Sequence, residues 1–167
     1  DAGKLVVPSG QMTKDEVATA NWATDAAQAR FENILSSNYA DGTPLHAVLA
    51  SNDSTALGVT NALAANYTND VYPVITGQDC DIANVPNIVN GKQAMSVFKD
   101  TRTLATKVVE MVDAIMTGGE APVNDTKTYD NGTGIIPSYL CEPVAVTADN
   151  YKEILIDSGY YTEDQIQ

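Results

Sequence analysis

One stretch of this chain, residues 71–100, limits more than any other what the protein can fold into. It holds two short apolar runs, residues 74–75 and 94–98, and polar side chains follow each run at once. β-Branched residues bounded by a proline and a glycine, as in the first run, are typical of a short buried strand. Between the runs, residues 82–89 predict a short helix that ends at an Asn-Gly pair. The stretch therefore predicts strand, turn, helix and strand, which is the repeating unit of a parallel α/β sheet.

The rest of the chain continues this alternation. Apolar residues 4–7 and 47–51 predict two further strands, each closed by polar or turn-forming residues. An Asp-Asn-Gly turn inside residues 123–139 predicts a hairpin. Apolar side chains at helical spacing predict helices in four more segments, the first with a break near Trp22: residues 13–37, 55–66, 101–117 and 151–158. We therefore expect an α/β fold with a mostly parallel sheet.

The net charge of the chain excludes several classes of partner. Nine basic residues against 22 acidic ones give the 167 residues a net charge of −13, and the basic residues are scattered along the sequence. Such a chain repels phosphate backbones and anionic lipid, so we expect no nucleic-acid partner. No apolar run approaches the roughly 20 residues of a membrane-spanning helix, so we expect no direct membrane insertion of this segment.

Patterns typical of catalysis or metal binding are scarce. Cys80 and Cys141 lie far apart without metal-ligand spacing, so two free thiols are the interpretation and a disulfide is the alternative. His46 is the only histidine, which argues against a Cys–His nucleophile. Asp79 and Asp81 are two residues apart and would point differently from a loop, which does not suit the carboxylate pair of a glycosidase. The sequence also lacks GxSxG, HExxH and GxGxxG motifs, so we expect no enzymatic activity, no metal and no cofactor.

Three polar side chains follow three of the predicted strands: Asn52, Asp79 and Lys99. In open α/β sheets, ligands bind beyond the carboxyl ends of the strands. A carboxylate accepts hydrogen bonds from two hydroxyls, an amide both donates and accepts, and an ammonium donates three. This combination suits a polyhydroxylated ligand. Trp22, the only tryptophan, is available to cover the apolar face of a sugar ring.

Each of these residues also has a structural alternative. The alternative for Trp22 is core packing, the usual role of a buried aromatic side chain. Asn52 with Asp53 suits a helix N-cap, and Asp79 suits the cap of the next helix. Lys99 suits a solvated strand end. Taken singly these alternatives are favoured, and the shared position at strand ends is what argues for one common site.

At these residues the sequence resembles the sugar-binding proteins of bacterial ABC importers, which have the type I periplasmic-binding-protein fold. The segment LASNDSTALG, residues 49–58, is similar to the strand–Asn-Asp–helix signature of that family. Residues 75–105, which begin ITGQDCDIANVPN, are similar to the corresponding segment of xylose-binding and multiple-monosaccharide-binding members. The resemblance covers essentially the whole chain.

The resemblance implies an α/β lobe of the type I periplasmic-binding-protein fold, with a mostly parallel, doubly wound sheet that is incomplete in this chain. Residues 1–98 and 141–167 would form part of the carboxy-terminal lobe. Residues 99–140 would be a hinge crossing and an excursion into the amino-terminal lobe, with the helix at residues 101–117 and the hairpin. The same resemblance implies that an amino-terminal lobe and a central strand are missing, so the isolated chain is not expected to form a complete sugar-binding unit.

For the site, the resemblance implies that Trp22 stacks on the sugar, that Asn52 and Asp79 bond its hydroxyls, and that Lys99 donates from the last strand end. No catalytic and no metal-binding residue is implied. Asp53 and Gln78 would shape the loops. Cys80 stands where a small alanine would be expected, which would narrow or re-aim the loop of Asp79.

The function that the resemblance implies is capture of a monosaccharide, a pentose or a hexose, and its delivery to an ABC permease. A chemoreceptor or sensor kinase would be a further partner, and the location would be extracytoplasmic, either periplasmic or lipid-anchored at the cell surface. The main alternative is the sugar-responsive effector domain of a transcription regulator, which should carry a DNA-binding segment. A carbohydrate-active enzyme is the second alternative, and the absent carboxylate pair argues against it.

Overall fold

A computed structural model describes residues 4–166 of the chain. The described strands are β1 (Ala47–Val48), β2 (Val74–Ile75), β3 (Ser96–Phe98) and β4 (Val144–Val146). The α-helices are α1 (Lys14–Val17), α2 (Thr24–Asn38), α3 (Asp53–Asn66), α4 (Val85–Val89) and α5 (Thr101–Met116). Shorter helical turns are the 3₁₀ segments Ala20–Trp22 and Glu163–Gln165 and the π-helical segment Lys152–Asp157.

The strands are short, and their pairing is parallel where an orientation is defined. β1 pairs in parallel with β2, in the register Ala47–Val74, and β3 pairs with β4. An isolated parallel bridge between Gln78 and Val97 joins the segment after β2 to β3. The predicted parallel α/β arrangement is therefore confirmed, with the described strands in two two-stranded sheets.

Residues 4–7, predicted as a strand, form none, and that prediction is wrong. The side chains of Leu5 and Val6 are 90% and 81% exposed. An extended apolar segment is stabilised only when a neighbouring strand supplies backbone partners and a packing surface. The strand predicted at residues 47–51 is also shorter than expected, since it ends at Val48 and Leu49 is exposed.

The structure contains the predicted break near Trp22, and it contains the predicted hairpin with only two bridges between its arms. Asn21 and Trp22 have positive φ angles of 54° and 50°, so the chain turns there before α2 begins at Thr24. Two isolated antiparallel bridges, Asp125–Ser138 and Asp130–Ile135, represent the hairpin. The turn-forming residues therefore reverse the chain, but the two arms of the hairpin do not pair continuously as strands.

The core lies between helices α2 and α3 and the strands β1 and β2. Its buried members are Phe31, Leu35, Leu45, Ala56, Val59, Ala62, Leu63 and Ile75. The two helices approach each other closely at Gly58, where an added Cβ would lie 2.3 Å from the carbonyl oxygen of Thr24. This glycine therefore sets the spacing between α3 and the amino-terminal end of α2.

The chain divides into two compact units. Among the described residues, one comprises residues 4–97 and 145–166, and the other comprises residues 98–144. Within the second unit, α5 has no buried side chain, and large apolar residues such as Val108 and Ile115 are more than half exposed. Among residues 4–166, no helix is both long enough and apolar enough to cross a membrane.

Candidate functional site

Asn52 lies directly before α3 and caps that helix. Its Oδ1 accepts hydrogen bonds from the backbone N–H of Thr55 at 3.1 Å and from the Thr55 hydroxyl at 2.8 Å. The N-cap alternative is thus confirmed for this residue. No described residue accepts a hydrogen bond from its Nδ2 group, so the same amide can cap with its oxygen and donate to a ligand with its nitrogen.

Asp79 lies at the exposed tip of a strained turn, which we name the Asp79 loop (residues 76–81). Asp79 and Cys80 have φ angles of 97° and 52°, in a region that side-chain-bearing residues rarely adopt. Each such residue costs about 1–3 kcal/mol and persists only when its surroundings fix it. The backbone N–H of Asp79 donates to the carbonyl of Val97 at 2.9 Å. The loop thus presents the Asp79 carboxylate at the end of the sheet.

The buried carboxylate of Asp53 lies beneath this loop. Its Oδ2 accepts from the backbone N–H of Asp81 at 2.8 Å, and its Oδ1 accepts from Gln93 Nε2 at 2.8 Å. The hydroxyl of Ser96 donates to both oxygens, at 2.8 and 2.9 Å. Burial raises the pKa of Asp53, and these hydrogen bonds oppose the rise because they stabilise the carboxylate. The sequence predicted that Asp53 shapes the loops or takes part in a helix N-cap, and no pattern in it indicated the contacts with Gln93 and Ser96.

The backbone brings Asn52 and Asp79 together. The N–H of Asp53, the residue after Asn52, donates to the carbonyl of Gln78, the residue before Asp79, at 2.9 Å. The amide of Asn52 and the carboxylate of Asp79 therefore belong to adjacent segments joined by a hydrogen bond. This is the juxtaposition expected of two neighbouring strand ends.

Trp22 lies on the turn before α2 and is 64% exposed, which contradicts the core-packing alternative. Two residues later, Thr24 meets Gly58 of α3, so the turn that carries Trp22 is fixed against the helix that Asn52 caps. The indole is available to a ligand in this unit. Its stacking on a sugar stays a prediction.

Lys99 follows β3, as expected, and is half-buried. It belongs to the second compact unit, whereas Asn52, Asp79 and Trp22 belong to the first. The structure therefore groups Asn52 with Asp79, and the participation of Lys99 stays a prediction.

Cys80 and Asp81, which end the Asp79 loop, are less exposed than Asp79. Burial and the neighbouring charge of Asp79 raise the pKa of the Asp81 carboxyl. Cys80 is fully buried, and burial raises the pKa of its thiol to about 12. The Tyr161 hydroxyl donates to the carbonyl of Cys80 at 3.0 Å, which fixes the loop from the carboxy-terminal segment. Cys80 therefore packs as a small apolar side chain rather than a nucleophile.

A separate cavity of about 470 Å³ lies at the other end of α3. Its lining includes Tyr39, Tyr67 and Asn66, whereas Asn52 begins the same helix. A helix of this length separates the two places by roughly 20 Å. The cavity is therefore distinct from the strand-end site.

Comparison with known proteins identifies the family. Residues 4–120 match the periplasmic binding protein domain. The multiple sugar-binding periplasmic protein SbpA of Azospirillum brasilense is 47% identical, over 100% of this chain and 47% of the relative. The multiple sugar-binding periplasmic receptor ChvE of Rhizobium radiobacter is 45% identical, over 100% of this chain and 48% of the relative. The chain spans about half the length of these relatives.

Solved structures agree with this assignment. An ABC transporter solute-binding protein from Clostridium phytofermentans, with bound β-D-glucose, is 69% identical with a TM-score of 0.93, over 98% of this chain and 50% of that one. A carbohydrate transporter solute-binding protein from Chloroflexus aurantiacus, in complex with D-glucose, is 34% identical with a TM-score of 0.79, over 92% of this chain and 46% of that one. The chain belongs to the periplasmic binding protein domain family and has the α/β fold of its type I members.

Proposed function

We propose that this chain is part of an extracytoplasmic solute-binding protein that captures a monosaccharide, a pentose or a hexose, and delivers it to an ABC permease. The observation that carries the proposal is the backbone hydrogen bond from Asp53 to Gln78, which brings Asn52 and Asp79 onto adjacent segments at two strand ends. The printed names of the relatives, which are sugar-binding periplasmic proteins, support this class over a transcription regulator. The neighbours with bound glucose support a hexose as the first ligand to test.

The chemistry of the pair suits sugar hydroxyls. A carboxylate accepts from two hydroxyls, and each hydrogen bond to a charged group contributes about 1.5–3 kcal/mol. The Nδ2 group of Asn52 donates to a hydroxyl or ring oxygen, and the exposed indole of Trp22 covers the C–H face of the sugar. Lys99, which follows β3, would add a donor from the last strand end. No bond is broken in such a site.

The division into two compact units supports the proposed two-lobe arrangement. In our proposal residues 1–98 and 141–167 belong to the carboxy-terminal lobe, and residues 99–140 belong to the hinge crossing and the amino-terminal lobe. Closure of the lobes by a hinge motion would trap the sugar and create the form that the permease recognises. A chemoreceptor or sensor kinase that recognises the same closed form would be a further partner.

Equilibrium dialysis of the intact protein against labelled D-glucose and D-xylose tests the proposal. We expect saturable retention of at least one monosaccharide, and we expect mass spectrometry to recover that sugar chemically unchanged. Retention of neither sugar nor of other common aldoses would contradict the proposal, and so would release of an altered product.

A further inference from the structure

We infer that Asp53 is a positioning residue for sugar binding, whose buried carboxylate holds the Asp79 loop in the conformation that presents Asp79 beside Asn52. The inference rests on the proposed function, because it assigns Asp53 a task in the same site. Asp53 itself is fully buried and does not face a ligand. Its action on a sugar is therefore indirect.

The Asp79 loop needs such a support because its backbone is strained. Asp79 and Cys80 are consecutive residues with positive φ angles. Two consecutive residues of this kind relax to ordinary backbone angles unless hydrogen bonds prevent it. Relaxation would re-aim the Asp79 side chain, which is the proposed ligand contact.

The carboxylate of Asp53 accepts hydrogen bonds from three directions. The donors are the backbone N–H of Asp81, the Nε2 of Gln93 and the hydroxyl of Ser96. Ser96 in turn accepts a hydrogen bond from the backbone N–H of Cys80 at 3.0 Å. The amides of Cys80 and Asp81, which end the strained turn, are thus both fixed by this network.

The backbone of the loop also packs directly on the network. A Cβ added at Gly77 would lie 2.1 Å from the Oδ1 of Asp53 and 2.3 Å from the Nε2 of Gln93. This close approach means that the loop cannot shift toward Asp53 without a clash. The packing therefore limits movement of the loop toward Asp53, and the hydrogen bonds limit movement away from it.

An amide cannot replace this carboxylate without a mismatch. In an Asp53→Asn variant, an amide NH₂ group would face either the Nε2 of Gln93 or the N–H of Asp81, and both are donors. Rotation of the Gln93 amide, which exchanges its Nε2 and Oε1, does not remove the mismatch. The Nε2 group also donates to the carbonyl of Met95 and the Oε1 atom accepts from Asn84, so both of these hydrogen bonds would be lost. At least one buried donor is then left without an acceptor, which weakens the hold on the loop.

Hydrogen exchange in the absence of sugar tests the hold on the loop. We expect Asp53→Asn in the intact protein to speed exchange at the amides of Cys80 and Asp81 by about tenfold or more, relative to the buried helical amides of Leu35 and Ala62. The matched control is Asp70→Asn, the same change at an exposed carboxyl, which should leave all these amides unaltered. Unchanged relative exchange at Cys80 and Asp81 in Asp53→Asn would overturn the inference, whether or not the protein binds sugar.

A double-mutant cycle tests whether the hold serves Asp79. We expect Asp53→Asn to weaken D-glucose binding, measured by calorimetry, by about tenfold or more. In an Asp79→Asn background the same substitution should weaken binding by less than about threefold, because the contact that it positions is already impaired. Full additivity of the two losses would overturn the positioning role. An intact protein that binds no monosaccharide would instead refute the proposed function. The exchange measurement would still test whether Asp53 fixes the Asp79 loop.

Ser96→Ala provides a second variant in case Asp53→Asn does not fold. It removes the acceptor of the Cys80 amide and one donor to Asp53, and it leaves Gln93 in place. We expect the same selective rise in exchange at Cys80 and the same lack of additivity with Asp79→Asn. Exchange at Cys80 equal to that of the wild type would overturn the inference.

Discussion

At the scale of single residues, Asn52 has both a structural role and a proposed binding role. Asn52 caps α3 with its amide oxygen, while no described residue accepts from its nitrogen. The Asp79 side chain is exposed, and the backbone N–H of the same residue donates to the carbonyl of Val97. For Asn52 the structural and the binding interpretations are therefore compatible. The alternative that Asp79 caps the next helix is wrong, because the N-cap residue of α4 is Asn84.

Asp79→Ala in the intact protein should weaken monosaccharide binding by about 2 kcal/mol or more, because ligand hydroxyls lose a charged acceptor. Stability should change little, since the side chain is exposed. Calorimetric titration measures the first effect and thermal unfolding the second. Asp70→Ala, at another exposed carboxyl, is the control and should retain full affinity. Unchanged affinity in Asp79→Ala would exclude this residue from the site.

Trp22 should report ligand binding through its fluorescence. The indole is 64% exposed without ligand, and a stacked sugar would remove water from one face of the ring. We expect saturating sugar to shift the emission of the intact protein and Trp22→Phe to abolish the shift. Emission that responds equally in the variant would assign the signal to another part of the protein.

The two cysteines should differ sharply in reactivity. Cys80 is fully buried with its pKa raised to about 12, whereas Cys141 is half-buried. Only the thiolate reacts with alkylating reagents, so at pH 8 the ionised fraction of Cys80 is negligible. Peptide mass spectrometry after iodoacetamide treatment of the native chain should find Cys141 labelled first. Equal labelling rates would show that the Asp79 loop opens freely.

At the scale of elements, the contact between α2 and α3 fixes the turn that carries Trp22. A Cβ at Gly58 would meet the backbone oxygen of Thr24 at 2.3 Å and the backbone nitrogen of Gln28 at 2.8 Å. Backbone atoms cannot rotate away, so the helices would have to separate. The position of Trp22 relative to the helix that Asn52 caps would change with them.

Gly58→Ala should therefore destabilise the protein, although alanine is the better helix former. The gain in helix propensity is about 1 kcal/mol at most, and overpacking of this kind costs about 1–3 kcal/mol. Because both contacted atoms are backbone, we expect a net loss of about 2 kcal/mol in urea unfolding, with weaker sugar binding. Asn61→Ala, at an exposed position of the same helix, is the control and should be neutral or stabilising. A Gly58→Ala variant as stable as that control would contradict the close packing.

The sequence predicted the elements whose signals are local, and it missed those that depend on distant partners. The polar residues after residues 74–75 and 94–98 placed the strand ends correctly, because short β-branched runs closed by glycine and polar residues are a local pattern. Residues 4–7 carry the same apolar signal but form no strand, since pairing is not encoded in the run itself. The contacts of Asp53 with Gln93 and Ser96 join residues about forty positions apart, and no spacing in the sequence indicates them.

At the scale of the whole molecule, the chain consists of two compact units and spans about half the length of its relatives. Large apolar side chains are exposed in both units, including Leu5, Leu49 and Val112. That the isolated chain does not form a complete sugar-binding unit stays a prediction of the sequence.

A crystal structure of the intact protein with a bound monosaccharide would show whether these residues form the sugar site. We expect the sugar to contact the Asp79 carboxylate and the Asn52 amide, to lie against the ring of Trp22, and to accept a hydrogen bond from Lys99. We also expect the Asp79 loop to keep its positive φ angles, with the backbone N–H of Asp81 still bound to Asp53. A sugar bound elsewhere, without contact to Asp79 and Asn52, would refute the assignment of this site.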